Sequence, residues 1–215
     1  MKTDKNNESR GEPASRGSLV SRAFAIMLCV CSVFALAGCV TVSVRSSGAS
    51  NLPPPCEIMG KGAMKADRLV AFFMAENPKA DRAKVRRMAR YYIEEASAEG
   101  VNPDVAFVQM CLETGFLRFG GLVTVDMNNF CGLGSIGPGQ SGNRFSDERT
   151  GVRAHVQHLK AYATVEPLAQ EQVDPRYRYV NPKGKAPTVQ GLAGTWAADR
   201  AYGDKLEGLI GRLYA

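Results

Sequence analysis

The sequence predicts an α+β fold: mainly helical, with a small glycine-rich β region forming one wall of a cleft. Three observations carry this. Apolar residues recur at helical spacing in several segments beyond Lys65. Seven of the 23 residues from Gly120 to Gly142 are glycine, which no helix tolerates. Helical patterning then resumes at Ser146 and again near the C-terminus. The 215 residues suffice for one modest domain with appendages, and 45% apolar with 22% charged residues is the composition of an ordinary globular protein.

The first segment stands apart. Arg16 and Arg22 precede "AFAIMLCVCSVFALA", an uncharged run of 15 residues from Ala23 to Ala37. That matches a secretory apolar core and falls short of the roughly 20 residues that span a bilayer. It ends in "LAGC", Leu36–Cys39, which resembles a bacterial lipobox and implies cleavage before Cys39 and lipid on its thiol. Residues 1–38 are therefore read as a lipoprotein signal peptide. Several acyl chains would hold the product on a membrane. Residues 39–62, small, polar and carrying three successive prolines, read as a tether, with the domain proper at 63–215. The expected location is extracytoplasmic and membrane-anchored, periplasmic or at the cell surface.

The folded part begins with "KADRLVAFFMAENP", a helix stopped by Asn77-Pro78. A second helix runs from the N-cap Asp81 to Gly100, with Val85, Met88, Ala89, Tyr92 and Ile93 on one face. In "NPDVAFVQMCLETG", Asn102 offers an N-cap, Pro103 the first helical position and Gly115 the stop. The glycine-rich stretch follows, with short β-type pieces at "LVTV" and around "NNFCGLG". Ser146 or Asp147 caps the next helix. A loop rich in proline and tyrosine, with Tyr177 and Tyr179, leads to one or two closing helices in "TVQGLAGTWAADRAYGDKLEGLIGRLY".

Charge and cysteine usage exclude several classes. The first 38 residues carry five Lys/Arg against three Asp/Glu, leaving +4 of the chain's +6 to the rest, with no dense basic run and no nucleic-acid motif. Cys56, Cys111 and Cys131 remain after the leader; a disulfide and buried inert thiols are equally open, and no metal spacing joins them. His155 and His158 share a helical face without a surrounding zinc motif. Cys131 lacks the helix N-terminus that would activate a nucleophilic thiol. No metal or cofactor is expected.

The third helix raises the functional question. In "AFVQMCLETGF" a single carboxylate, Glu113, ends an apolar helix, where burial makes its charge costly. Together, "LETGF", "NNFCGLG" and "WAADRAYGDKL" resemble, in order and spacing, the glucosaminidase family of bacterial peptidoglycan hydrolases (mannosyl-glycoprotein endo-beta-N-acetylglucosaminidase-like domains). The resemblance covers roughly residues 63–215. It implies a lysozyme-like fold that cleaves the β-1,4 bond after N-acetylglucosamine, with peptidoglycan strands as partner. It also implies that Glu113 is the catalytic acid, that Asn128, Asn129 and Phe130 line the cleft floor, and that Tyr202 is the tyrosine of the C-terminal element. Several members place a second carboxylate on a hairpin strand, but residues 128–146 contain no Asp or Glu. Asp126, Asp147 and Glu148 are the nearest substitutes.

The chemistry agrees with such a site. A leaving glycosidic oxygen needs a proton, so the acid must stay protonated near neutral pH. A place in a helix's last turn disfavours an anion, and Phe116, Leu117 and Phe119 are expected to desolvate it. Inversion requires a carboxylate base, for which Glu148 is the candidate. Alternatively the substrate's 2-acetamido group attacks, oriented by Tyr202 and Asn129. Trp196, the only tryptophan, is a candidate for stacking on sugar. Competing expectations are a lytic transglycosylase or lysozyme-type cleavage, and a glycan-binding lipoprotein without catalysis.

Overall fold

Five α-helices surround one another so that the third is enclosed by the rest. The computed structural model describes residues 54–215; the expected signal peptide and Cys39 lie outside the described residues. The helices are α1 (Ala66–Glu76), α2 (Arg82–Glu99), α3 (Pro103–Glu113), α4 (Glu148–Ala163) and α5 (Tyr202–Tyr214). A two-stranded antiparallel hairpin, β1 (Ser135–Gly137) and β2 (Gln140–Ser141), lies between α3 and α4, with a register irregularity between Ser135 and Gly137. The mainly helical α+β architecture is that of a lysozyme-like glucosaminidase domain.

Local chemistry sets the helix ends. Asp81 accepts from the Ala83 amide, Asn102 from Asp104 and Asp147 from Thr150, each satisfying an orphan donor. Gly100 ends α2 in the left-handed region at φ 74°, a conformation that costs glycine nothing. α3 is buried on every side: all its residues from Pro103 to Cys111 are buried. It packs against α1, α2, α4 and α5, with Phe107 edge-on to both Phe73 and Tyr92.

Buried carboxylates tie the layers. Asp104 on α3 accepts from the Ala63 amide at 2.8 Å and the Tyr214 hydroxyl at 2.7 Å, joining both ends of the domain. Glu99 on α2 takes Lys160 of α4 and the amides of Ala169 and Gln170. Burial alone would raise its pKa, yet these donors hold it below its ordinary value.

Two expectations need correction. The packed chain begins at about Cys56, inside the segment read as tether. Glu57 and Met59 bridge to Thr188 and Val101, the Asn102 amide donates to the Ile58 carbonyl, and Ile58 is fully buried. The Ile58 side chain and four backbone hydrogen bonds, which join Cys56, Ile58 and Gly60 to Val189, Pro187, Asn102 and Gly100, outweigh the polar composition around them. The β-type piece at "LVTV" is not a strand: Val125 opens a 3₁₀ turn and stays exposed. The hairpin forms later, where Pro138-Gly139 supplies the turn.

Candidate active site

Glu113 is the last residue of α3, and the chain leaves it through a strained turn. Gly115, Phe116, Leu117 and Phe119 all have φ between 55° and 58°. For the three bulky residues this costs about 1 kcal/mol or more each. Surrounding bonds hold it. Asn77 donates to the Phe116 carbonyl at 2.9 Å, the Leu117 amide donates to Thr114 Oγ1 at 2.9 Å, and the Phe116 ring packs on Phe72 and Phe73. Phe116 therefore packs against α1.

The carboxylate instead meets α5 and the loop before it. Trp196 Nε1 donates to Glu113 Oε1 at 2.9 Å, and the Tyr202 hydroxyl donates to the same oxygen. Burial pushes the Glu113 pKa above its ordinary value; the bonds from Tyr202 and Trp196 pull it back without cancelling the rise. Oε2 has no protein partner among the described residues, and it is not among their sealed, unsatisfied atoms. It is therefore open to solvent.

Behind Tyr202 lies a polar chain that periodicity could not reveal. Gln109 Nε2 donates to the Tyr202 hydroxyl at 3.1 Å, Gln109 Oε1 lies 3.0 Å from His155 Nε2, and His155 Nδ1 lies 2.8 Å from the Tyr92 hydroxyl. Gln109, His155 and Tyr92 are fully buried. Burial, and secondarily the neighbouring His158, lowers the His155 pKa to about 3, so the ring is neutral.

The glycine-rich loop forms the facing wall, and its asparagines are committed to shaping it. Asn129 Nδ2 donates to the Leu133 carbonyl at 2.9 Å and the Asn143 carbonyl at 3.0 Å, while its Oδ1 accepts from the Leu133 amide at 3.0 Å. Both amide hydrogens are used within the loop. Asn128, at φ 52°, donates to the Phe145 carbonyl at 3.1 Å. Phe130 is fully buried in the core. All three help to build the wall; Asn129 and Phe130 are buried in it, while Asn128 is half-buried.

Beside Glu113, a recess of about 120 Å³ is lined by Cys131, Leu133, His158, Tyr162, Arg176 and Trp196 among others. Trp196 stands against His158 and Tyr162, with ring centroids 5.2 and 5.1 Å away. The fully buried Asp174 fixes His158 Nδ1 at 2.7 Å. Trp196, His158, Tyr162 and Asp174 are brought together from α4 and two loops; of these, only Trp196 was expected at the site. Larger hollows of about 500 and 570 Å³ lie elsewhere, at Lys79–Arg118 and at Lys61–Pro103, and contain no carboxyl set for acid work.

Glu148 is engaged on another face, paired with Lys84 and Arg87 of α2 at 3.3 Å each. Nor does either aspartate candidate reach Glu113. Asp126 is held by Thr124 and Arg144, which lower its pKa to about 2, and Asp147 caps α4. Tyr177 and Tyr179 form a 3₁₀ turn stacked with Lys183 and Arg176. Cys56, Cys111 and Cys131 are free thiols, and burial pushes Cys131 and Cys111 far from the thiolate a nucleophile needs. Among the described residues no three His, Cys, Asp or Glu gather as metal ligands.

Comparison with known proteins places the domain in a family. A chain from Borreliella burgdorferi (strain ATCC 35210 / DSM 4680 / CIP 102532 / B31), described as an uncharacterized protein, is 40% identical over 153 residues, covering 71% of this chain and 74% of its own. No solved structure matches the chain. Residues 89–215, which include Glu113, the glycine-rich wall, Trp196 and Tyr202, match the Glucosaminidase family, described as mannosyl-glycoprotein endo-beta-N-acetylglucosaminidase. A shielded acid at the end of a buried helix, facing a short β wall, thus belongs to a domain of known kind: the chain is a member of the glucosaminidase family of glycan-cleaving hydrolases.

Proposed function

We propose that the chain hydrolyses the β-1,4 bond after N-acetylglucosamine in peptidoglycan, with Glu113 as general acid. One observation carries this: both fixed donors at Glu113, Trp196 and Tyr202, fall on Oε1, which leaves Oε2 to hold a proton toward the cleft. The raised pKa supports the same role, because a carboxyl that keeps its proton can deliver it to a leaving oxygen.

The second carboxylate is dispensable in the version we favour. Glu148 neutralises Lys84 and Arg87, so it is not free to activate water. The substrate's own acetamido oxygen attacks C1 while the C1–O bond breaks and Glu113 Oε2 gives its proton to the departing oxygen. The Glu113 carboxylate then takes a proton from the water that opens the cyclic intermediate, restoring the acid. Trp196 and Tyr202 stabilise the carboxylate between the two steps. We further infer, from "LAGC", that Cys39 is lipidated and holds the enzyme at a membrane outside the cytoplasm.

The test is digestion of purified sacculi with mass spectrometry of the products. New N-acetylglucosamine reducing ends are expected, absent with Glu113→Gln. Anhydro-muramic ends would assign a lytic transglycosylase instead, and glycan binding without product would assign a non-catalytic role. Retention of Cys39→Ser in the membrane fraction would refute the lipid anchor.

A further inference from the structure

Four buried side chains from four helices form one unbranched chain of hydrogen bonds that ends on Glu113. We propose that Tyr92, His155 and Gln109 are positioning residues that set the direction of this chain and thereby keep the acid's proton on Oε2. This rests on Glu113 being the acid.

The direction follows from donor counting. Trp196 Nε1 can only donate, and it donates to Oε1. Tyr202 accepts from Gln109 Nε2, so its single hydrogen is free to point at Oε1. Oε1 then receives two donors and both its lone-pair sites are filled; a proton on the carboxyl belongs on Oε2. Gln109 can present its NH₂ to Tyr202 only while its carbonyl faces the Nε2–H of His155. That tautomer leaves His155 Nδ1 as an acceptor, to which the Tyr92 hydroxyl donates. Each link dictates the next, from α2 through α4 and α3 to α5.

A reversed chain would have Tyr202 accept from the acid and would put the proton on Oε1, turned away from the cleft. A charged imidazole would donate at both nitrogens, which keeps the bond to Gln109 but turns the Tyr92 link round, so the hydroxyl would no longer select the tautomer. The depressed His155 pKa, about 3, excludes that state across the working range. The titratable groups facing Glu113 are Tyr202 on α5, Tyr92 on α2 and Cys131 of the glycine-rich loop; all three have raised pKa values and stay neutral. His155 faces Tyr92, and His158 on its own helix.

The full chain contains only two histidines, so ¹⁵N-histidine NMR resolves the question directly. The expected result is a neutral His155 protonated at Nε2 and bare at Nδ1 from pH 8 to pH 5. A neutral Nδ1–H form overturns the proposal, and this readout needs no activity. Tyr92→Phe removes one oxygen and leaves Nδ1 without its donor, so the two tautomers should mix. On glycan, kcat should fall about tenfold with KM unchanged, the cost of about one aligned hydrogen bond. Tyr202 lowers the Glu113 pKa; a less well aligned hydroxyl lowers it less, so the alkaline limb of the pH–rate profile moves up. An unmoved limb and unchanged kcat refute the role in positioning. If Tyr92→Phe does not fold, the wild-type tautomer decides alone. Should the wild-type chain cleave no glycan, the catalytic assignment fails, while the tautomer still tests the direction of the chain.

Discussion

Gly151 is where α4 touches the wall of the cleft, and a single methyl there should separate them. A Cβ at this position would sit 1.8 Å from the Asn128 carbonyl oxygen and 3.2 Å from the Phe130 ring. The carbonyl would have to move about 1.2 Å to restore even a 3.0 Å approach. Alanine is better than glycine in a helix by about 1 kcal/mol. Overpacking against backbone costs about 1–3 kcal/mol, and an overlap this deep belongs at the upper end. The net change in Gly151→Ala is thus about 2 kcal/mol of destabilisation, a midpoint lowered by about 4–8 °C for a domain of this size. Because Asn128 adjoins Asn129, which pins Leu133 and Asn143, cleavage of sacculi should fall well below the new midpoint. Gly208 in α5 is the control. A Cβ there meets nothing within 4 Å, so Gly208→Ala should gain up to about 1 kcal/mol. Thermal unfolding of the two variants should shift in opposite directions. Stabilisation by Gly151→Ala comparable to that by Gly208→Ala would refute the close approach.

Glu113→Gln should abolish cleavage by about 10²–10⁴-fold while keeping the fold, since glutamine Oε1 still accepts from Trp196 and Tyr202. Its effect on stability has a sign: the raised Glu113 pKa gives a contribution present below the unfolded pKa and lost as pH rises through the folded one. The variant should therefore gain on wild type in urea unfolding at neutral pH relative to acid. For His155, depressed to about 3, the contribution is present above the unfolded value near 6.5 and lost as pH falls toward 3. His155→Gln should flatten the acid side of the stability curve by up to about 1.4 kcal/mol per pH unit. Among Cys56, Cys111 and Cys131, alkylation of the native protein with peptide mapping should find only Cys56 modified, because the other two are buried.

Periodic and capping features were legible before folding. Asp81, Asn102, Pro103 and Gly100 mark their helix ends because those signals act within a turn of the chain. Glu113 was legible for a related reason: a carboxylate closing an apolar helix is unusual in one dimension already. Asn129 shows the limit. Its motif is visible, but its hydrogen bonds run to Leu133 and Asn143, so its role as a clasp of the loop appears only once the chain turns back. Glu148 shows the same limit, since Lys84 and Arg87, which pair with it, lie more than sixty residues away.

The sequence alone determined the helices, the glycine-rich interruption and the placing of Glu113 at the close of an apolar stretch, because helix caps, apolar spacing and a lone carboxylate are local properties. Tertiary structure alone decided which oxygen of that acid is free. Trp196 and Tyr202 reach Glu113 across 83 and 89 residues, and Tyr92 reaches His155 across 63. Hydrogen bonds of this kind are set by the packing of whole helices, and direction along them passes from one buried side chain to the next only when all are in place.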